Sequence, residues 1–366
     1  MNIAIIGAGP IGGYAAYLLA KSGHHVSIYE EHKEVGRPIQ CTGLLTSDFE
    51  QFKLPTQDYL VNIFQGLEIT SPKGDTTSIK QKEYLVDRHK FDSFFVEMAK
   101  QAGAKVHLQH SFLRKEGSNI IIKDLIHKKE LSISPDLVIA ADGPLSPTAK
   151  AYGFYHPERK NYYGLQAVVK GKFQPGKYET FFGQEICPGL FAWLVPESTT
   201  IARIGLATQE KAKVYFDKWL TQISKERNLK IIEKQAGLIP LYNPKQILQK
   251  DNCYLLGDAA GFVKATTLGG LVPGLRQAEI LTDCINHKRN YKRALRPLRL
   301  QLWLHLQIKK VMDKLPDKEL NRLISYFNQP RIQNTLSKYT RDNPLPLVFN
   351  ILLREPRLLR FIKYLF

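Results

Sequence analysis

Three glycines near the start constrain this chain more than any other feature. Gly7, Gly9 and Gly12 stand in the order G-x-G-x-x-G. Residues 2–6 form a short apolar run suited to a buried strand, 11–22 have helical spacing, and 25–29 read as a second strand, closing a βαβ unit. In such a unit the first glycine permits a tight turn, the second lets a pyrophosphate approach the backbone, and the third lets the helix pack closely. The helix N-terminus offers unpaired N–H groups and the positive end of its dipole to the phosphates. Glu30 ends the second strand, where a carboxylate accepts ribose hydroxyls. The pattern points to a dinucleotide and leaves NAD and FAD both open.

The rest of the chain divides by pattern. Residues 34–45 read as a loop containing glycine and proline, 91–102 as a helix, and 105–108 and 137–141 as strands, the last a continuous apolar run typical of a central parallel strand. Alternating segments at 163–171, 178–182, 190–195 and 200–207 predict an antiparallel sheet, with a helix over 212–227. A buried strand at 253–256 and a helix over 274–286 then return the chain to its first domain. The expected class is α/β, α+β overall: a Rossmann-like dinucleotide domain (1–158 and 250–287), an inserted antiparallel-sheet substrate domain (159–249), and a basic helical C-terminal part (288–366).

Charge and cysteine usage narrow the setting. Lys and Arg total 52 against 34 Asp and Glu, a net charge of +18, which favours anionic partners. The C-terminal basic residues are interleaved with Leu, Ile and Phe and match no nucleic-acid module, so nucleic acid is not an expected partner. The four cysteines, Cys41, Cys187, Cys253 and Cys284, include no C-x-x-C pair. No metal site is expected, and a reducing cytosol fits. Residues 1–20 carry no charge, but four glycines and Pro10 weaken a spanning helix and no basic n-region precedes them. These features leave open a soluble cytoplasmic protein and a cytoplasmic one peripheral on the inner face of the membrane.

Two later segments bring FAD forward by resemblance. Residues 136–143 (DLVIAADG) and 255–261 (LLGDAAG) resemble the second and third fingerprints of the para-hydroxybenzoate hydroxylase superfamily of FAD proteins. Four further features resemble the geranylgeranyl reductase family: the loop 36–43 (GRPIQCTG), the segment 85–92 (LVDRHKFD), the stretch 188–196 (PGLFAWLVP) against a P-x-x-Y-x-W-x-F-P pattern, and the turn 269–271 (GGL). The likeness covers roughly residues 1–286. Phe191 stands where the pattern has Tyr, Val195 where it has Phe, and 264–268 (KATTL) where it has an acidic-Pro-x-Thr-Gly run.

The resemblance implies that Gly7, Gly9, Ile11, Gly12, Glu30, Cys41, Thr42, Arg88, Asp258, Gly270 and Leu271 surround FAD. It implies that Pro188, Phe191, Trp193 and Pro196 serve the substrate. Arg88 reads either as a pyrophosphate partner or as an i,i+4 ion pair with Asp92. Cys41 reads as a proton donor beside the flavin or as a small buried apolar group. Phe191 and Trp193, two apart on a strand, share a face whether they line a prenyl tunnel or only pack. The implied reaction is saturation of the double bonds of a prenylated lipid by hydride from reduced FAD plus a proton. NADPH, ferredoxin and other reductants all stay open as donors. An FAD-dependent hydroxylase or halogenase, a non-redox prenyl cyclase and a basic lipid-binding flavoprotein are the alternatives. Between 343 and 366, Arg354, Arg357, Arg360 and Lys363 recur at three-residue spacing beside Leu358, Leu359, Phe361, Ile362, Leu365 and Phe366, a pattern suited to an anionic membrane surface or to docking on the protein's own domain.

Overall fold

The glycine turn sits at the carboxyl end of the Asn2–Ile6 strand. In the computed structural model, which describes residues 1–155 and 159–365, this strand lies inside a six-stranded sheet. The order is Gln249–Lys250, Cys253–Leu255, Leu137–Ala140, Asn2–Ile6, His25–Glu30 and Lys105–Leu108. Every pair is parallel except the short Gln249–Lys250 edge. The chain leaves Asn2–Ile6 to one side for His25–Glu30, and Leu137–Ala140 fills the other side. That reversal makes the end of the first strand a topological switch point, where open α/β sheets bind ligands. The Pro10–Lys21 helix packs beside Arg88–Gln101 and Leu271–Asn286. Gly274 permits the second approach, because a Cβ there would lie 2.7 Å from Ile11 Cδ1. The last helix starts at Leu271, with Gly270 as its N-cap, rather than at 274.

The second sheet has eight strands, ordered Lys230–Pro240, Asn161–Lys170, Ile201–Thr208, Ala192–Pro196, Lys177–Phe181, Leu60–Thr70, Thr76–Val86 and Leu44–Thr46. Two expectations change here. Three of the strands come from 44–86, a stretch assigned to the dinucleotide domain, so the sheet is not confined to 159–249. Nor is it wholly antiparallel, since Lys177–Phe181 runs parallel to Leu60–Thr70. The Leu60–Thr70/Thr76–Val86 hairpin escaped notice because its register shifts twice, breaking the period-two pattern that marks a strand. A third, antiparallel sheet of His110–Glu116, Asn119–Asp124 and Lys129–Ile133 also lay outside the sequence reading. The boundary placed at 158 falls within 156–158, outside the described residues.

The C-terminal part is helical as expected: Tyr291–Ala294, Arg296–Lys314, Asp317–Phe327, Pro330–Lys338, Pro344–Arg354 and a 3₁₀ segment, Pro356–Leu365. Its prolines set the breaks. Pro297, Pro330 and Pro344 occupy first turns, where the missing N–H is not needed, and Pro316 caps the Asp317–Phe327 helix.

Candidate active site

One cavity of about 1330 Å³ runs from the glycine turn to the C-terminal helices. That exceeds the ~300–1,000 Å³ of an ordinary small-molecule site. Its first half gathers Gly7, Gly9, Ile11, Glu30, Arg88, Asp142, Asp258, Gly270 and Leu271. The three glycines divide the work. Gly7 has φ +103°, and a Cβ on it would stand 2.5 Å from the Ala141 carbonyl oxygen. A Cβ on Gly12 would stand 2.2 Å from the Gly7 carbonyl oxygen, whereas one on Gly9 would meet no atom within 4 Å. Gly7 and Gly12 therefore serve the turn and its packing, and Gly9 keeps open a cradle that a side chain would fill.

The polar groups of this half are arranged by the backbone around them. Glu30 accepts from the Ala8 N–H at 2.7 Å and the His32 N–H at 3.0 Å, which holds its carboxylate against the glycine turn. Asp258 is the second residue of the four-residue helical turn Gly257–Ala260 and lines the cavity; enclosure by protein raises its carboxyl pKa. Arg88 makes a bidentate pair with Asp92, Nε to Oδ1 at 2.9 Å and Nη2 to Oδ2 at 2.8 Å. The i,i+4 pair is thus present, on a side chain that also lines the cavity.

Where the halves meet, the loop 36–43 faces the second sheet. Cys41 is half-buried, and its Sγ accepts from the Gly43 N–H at 3.4 Å. Thr42 donates its hydroxyl to Gln166 Oε1 at 2.6 Å, and Trp193 Nε1 donates to the same oxygen at 3.2 Å. Gln166 Nε2 then donates to Gln235, and Arg203 donates to the Thr42 carbonyl. This network joins the loop and four strands of the sheet and sets the indole plane. Gly205, paired with Trp193 across the strands, leaves room for it: a Cβ there would be 2.4 Å from Trp193 Cζ2. Gln166, Gln235 and Arg203 were not singled out in the sequence, where they stand as single polar residues within strands and carry no motif.

Beyond Trp193 the cavity turns apolar. Phe191, Phe182, Val195, Leu67, Ile69 and Ile79 form one wall, with the Phe191 and Phe182 rings 5.4 Å apart. The opposite wall comes from the C-terminal helices: Ile308, Val311, Met312, Ile324, Val348 and Ile351 among them. Pro188 and Pro196 are not lining residues; Pro188 is half-buried in the bend before the Ala192–Pro196 strand, and Pro196 is buried at its end. Of the C-terminal residues expected at a surface, Leu358, Phe361, Ile362 and Leu365 line the cavity. Phe366 lies outside the described residues.

A cluster of buried charges closes the side of the junction. Lys264 Nζ lies 2.5 Å from Asp342 Oδ1, with both side chains buried, and the Thr46 hydroxyl also donates to Asp342. Arg341 pairs with the buried Glu83 and donates to the Tyr178 hydroxyl. The departure at 264–268 thus has a partner nearly eighty residues later. Among the described residues, no group of three or more His, Cys, Asp or Glu could hold a metal ion. No helix there is long and apolar enough to cross a membrane.

A Rossmann-like unit joined to a large mixed sheet, with the cavity between them, is a fold shared with solved flavin-dependent proteins. A solved geranylgeranyl bacteriochlorophyll reductase-like protein from Thermoplasma acidophilum superposes with TM-score 0.84 at 20% identity, covering 100% of this chain and 99% of that one. The flavin-dependent halogenase CmlS superposes with TM-score 0.70 at 16% identity, over 98% of this chain and 78% of that one. The NAD(P)-binding Rossmann-like domain family matches residues 5–66. In sequence the chain is 28% identical to a digeranylgeranylglycerophospholipid reductase from Methanocaldococcus jannaschii, over 99% of this chain and 97% of the relative. It is 27% identical to the protein of the same description from Methanococcus vannielii, over 100% and 98%. These relatives bear out the resemblance read from the motifs, and extend it through the C-terminal part.

Proposed function

We propose that this chain is an FAD-dependent reductase that saturates double bonds in the prenyl chains of lipids. The carrying observation is the single continuous cavity, with a dinucleotide cradle at one end and an apolar channel at the other. The cradle fits FAD: Gly9 leaves the approach open, the helix beginning at Pro10 would face the phosphates, Glu30 would suit a ribose, and Asp258, Gly270 and Leu271 would wall the inner end. Bound there, the flavin supplies hydride chemistry. The chain's own residues orient and exclude. Trp193, held by Gln166, presents an indole face at the junction, and such a face stabilises the cationic character of an alkene that accepts a proton before hydride. The apolar walls keep water from that intermediate. The same walls suit a prenyl chain better than the small polar aromatics of a hydroxylase.

The lipid is collected from a membrane surface. On the Pro344–Arg354 helix, Val348, Ile351 and Leu352 face the cavity, while Leu345, Phe349 and Leu353, four apart, are exposed on another face. In the 3₁₀ segment that follows, three-residue spacing aligns side chains, so Arg357, Arg360 and Lys363 share one side and the buried Leu358 and Phe361 another. Arg357 and Arg360 already pair with Glu355 and Glu319, so exposed apolar surface carries more of the docking than free charge does. The test of the reaction is direct. Dithionite-reduced protein incubated with a geranylgeranyl phospholipid yields product heavier by two mass units per double bond; a colourless protein, or unchanged lipid with a flavin-loaded one, refutes the assignment.

A further inference from the structure

A reductase of membrane lipids has to settle on a bilayer before its channel can fill, and a second pocket suits that step. It encloses about 360 Å³ and shares no lining residue with the main cavity. Tyr242 and Pro244 come from one segment, and Lys292, Arg296, Arg299, Leu300 and Trp303 from another. Arg299 joins the two: its guanidinium donates to the Pro244 carbonyl, while its own carbonyl accepts from the Tyr242 hydroxyl at 3.3 Å. Lys292 and Arg296 are exposed, and their side chains make no ion pair or hydrogen bond among the described residues.

The sequence explains why these cations stand free. No acidic residue occurs at 234–250 or at 284–312, the two stretches that form the pocket, while six basic residues fall between 288 and 299. Among the described residues, Arg289 alone of the six pairs with an acid, Asp283. Apolar surface lies beside the cations: Leu300 is 47% and Trp303 41% exposed. Arg296, Leu300 and Trp303 recur at steps of four and three, so they share a face of the Arg296–Lys314 helix. Leu304, next to Trp303, and Gln307, one turn beyond it, line the main cavity, so this face leads to the channel wall. Free cations around an exposed indole match the headgroup level of an anionic bilayer, where phosphates attract Lys and Arg and tryptophan settles between polar and apolar layers. A concave pocket of this size takes one headgroup, whereas a protein partner covers about 800 Å².

We propose, on the reductase reading, that this pocket binds the phosphate of an anionic phospholipid headgroup at a bilayer surface. Lys292 and Arg296 take the phosphate oxygens, and Leu300 and Trp303 settle at the headgroup level. The exposed row Leu345, Phe349 and Leu353 supplies insertion into the bilayer, and the pocket supplies the preference for an anionic one.

The test titrates flavin-loaded full-length protein with vesicles of phosphatidylglycerol or of phosphatidylcholine, read by tryptophan emission and co-sedimentation. Neither readout needs turnover, so the result is separate from saturation of detergent-dispersed prenyl lipid, which tests the reductase reading by itself. Trp219 is 4% exposed and Trp193 is half-buried, which leaves Trp303 as the indole that meets the bilayer. Phosphatidylglycerol vesicles should move the emission to the blue, and Trp303→Phe should lose that shift while still pelleting. Lys292→Gln with Arg296→Gln should weaken binding to phosphatidylglycerol about 25-fold, at about fivefold per basic group, with turnover of detergent-dispersed lipid unchanged. Lys128→Gln with Lys129→Gln removes the same charge from a hairpin of the third sheet and should cost no more than about threefold. Equal losses in the two double variants would make net charge the cause and overturn the proposal. So would phosphatidylcholine vesicles that bind as tightly as phosphatidylglycerol, or soluble glycerol phosphate that gives the same shift without vesicles, the mark of a site for free phosphate. An emission from Trp303 that no vesicle moves, the outcome expected of a site for an acidic protein, overturns it as well.

Discussion

Cutting one side of the Lys264–Asp342 pair tests how the C-terminal cover is fastened over the cavity. Lys264 and Asp342 are each 4% exposed, at 2.5 Å from Nζ to Oδ1. In Asp342→Asn the ammonium stays in the wall without a countercharge, while the amide oxygen can still accept from Thr46. Removing one partner of a buried pair costs about 3–5 kcal/mol, mostly for the charge left behind. At the lower end of the ~2–4 °C per kcal/mol seen for domains of 150–250 residues, suited to a longer chain, Tm falls by roughly 6–10 °C. Lys264→Met with Asp342→Leu should recover most of that loss, because apolar groups of similar size replace such a pair at little cost. The assay is thermal unfolding of the four corners of this cycle, with limited proteolysis to follow release of the segment after Asn343. A Tm within about 2 °C of wild type for Asp342→Asn, or a double variant as unstable as the summed singles, would refute the reasoning. Acid gives a second reading. Burial alone would raise the Asp342 pKa, but the Lys264 ammonium overcomes it and holds the carboxyl below its ordinary value. The carboxyl's contribution is therefore complete above the unfolded value of about 3.9 and is lost as pH falls through the lower folded value, a decline missing in the double variant.

Other substitutions probe the rest of the cavity. Glu30→Ala leaves the Ala8 N–H without its acceptor and should weaken FAD binding by about 1–3 kcal/mol in calorimetry; unchanged affinity would separate Glu30 from the cradle. Trp193→Ala should lower prenyl-lipid turnover at least ~10-fold, a loss of about 1.4 kcal/mol in the transition state. Trp193→Phe should keep much of it, and a fall in Tm with no kinetic defect would make the indole a packing element only. Cys41→Ala should reduce turnover with FAD content unchanged, measured by absorbance and single-turnover kinetics; full activity would return Cys41 to an apolar role. Replacing Leu345, Phe349 and Leu353 together by Ser should abolish co-sedimentation with anionic vesicles while leaving turnover of detergent-dispersed lipid intact, and undiminished pelleting would place the docking face elsewhere.

The relation between chain and fold differs from one part to the next. The cradle was legible because its chemistry is local. Turn, helix start and the Glu30 carboxylate lie within thirty residues, and each demands a residue type, a glycine where a side chain has no room or a carboxylate at a strand end. The aromatic pair Phe191 and Trp193 was legible by spacing, since two residues apart on a strand share a face, and both line the cavity. The Leu60–Thr70/Thr76–Val86 hairpin was hidden by its register shifts, although it supplies Leu67, Ile69 and Ile79 to the channel.

Other features depend on contacts between segments far apart in the chain. The meaning of Lys264 needed Asp342, and that of Thr42 needed Gln166 and Trp193. The C-terminal part shows the difference most sharply. Its amphipathic pattern by itself established helices with an apolar face and a basic one. Only the tertiary structure decided that much of the apolar face turns inward to close the channel while Leu345, Phe349 and Leu353 stay outside. Periodicity records that a face is apolar, because each helix must hide one. It carries no information about what that face is pressed against, which is set by the sheet and helices that the remainder of the chain brings alongside.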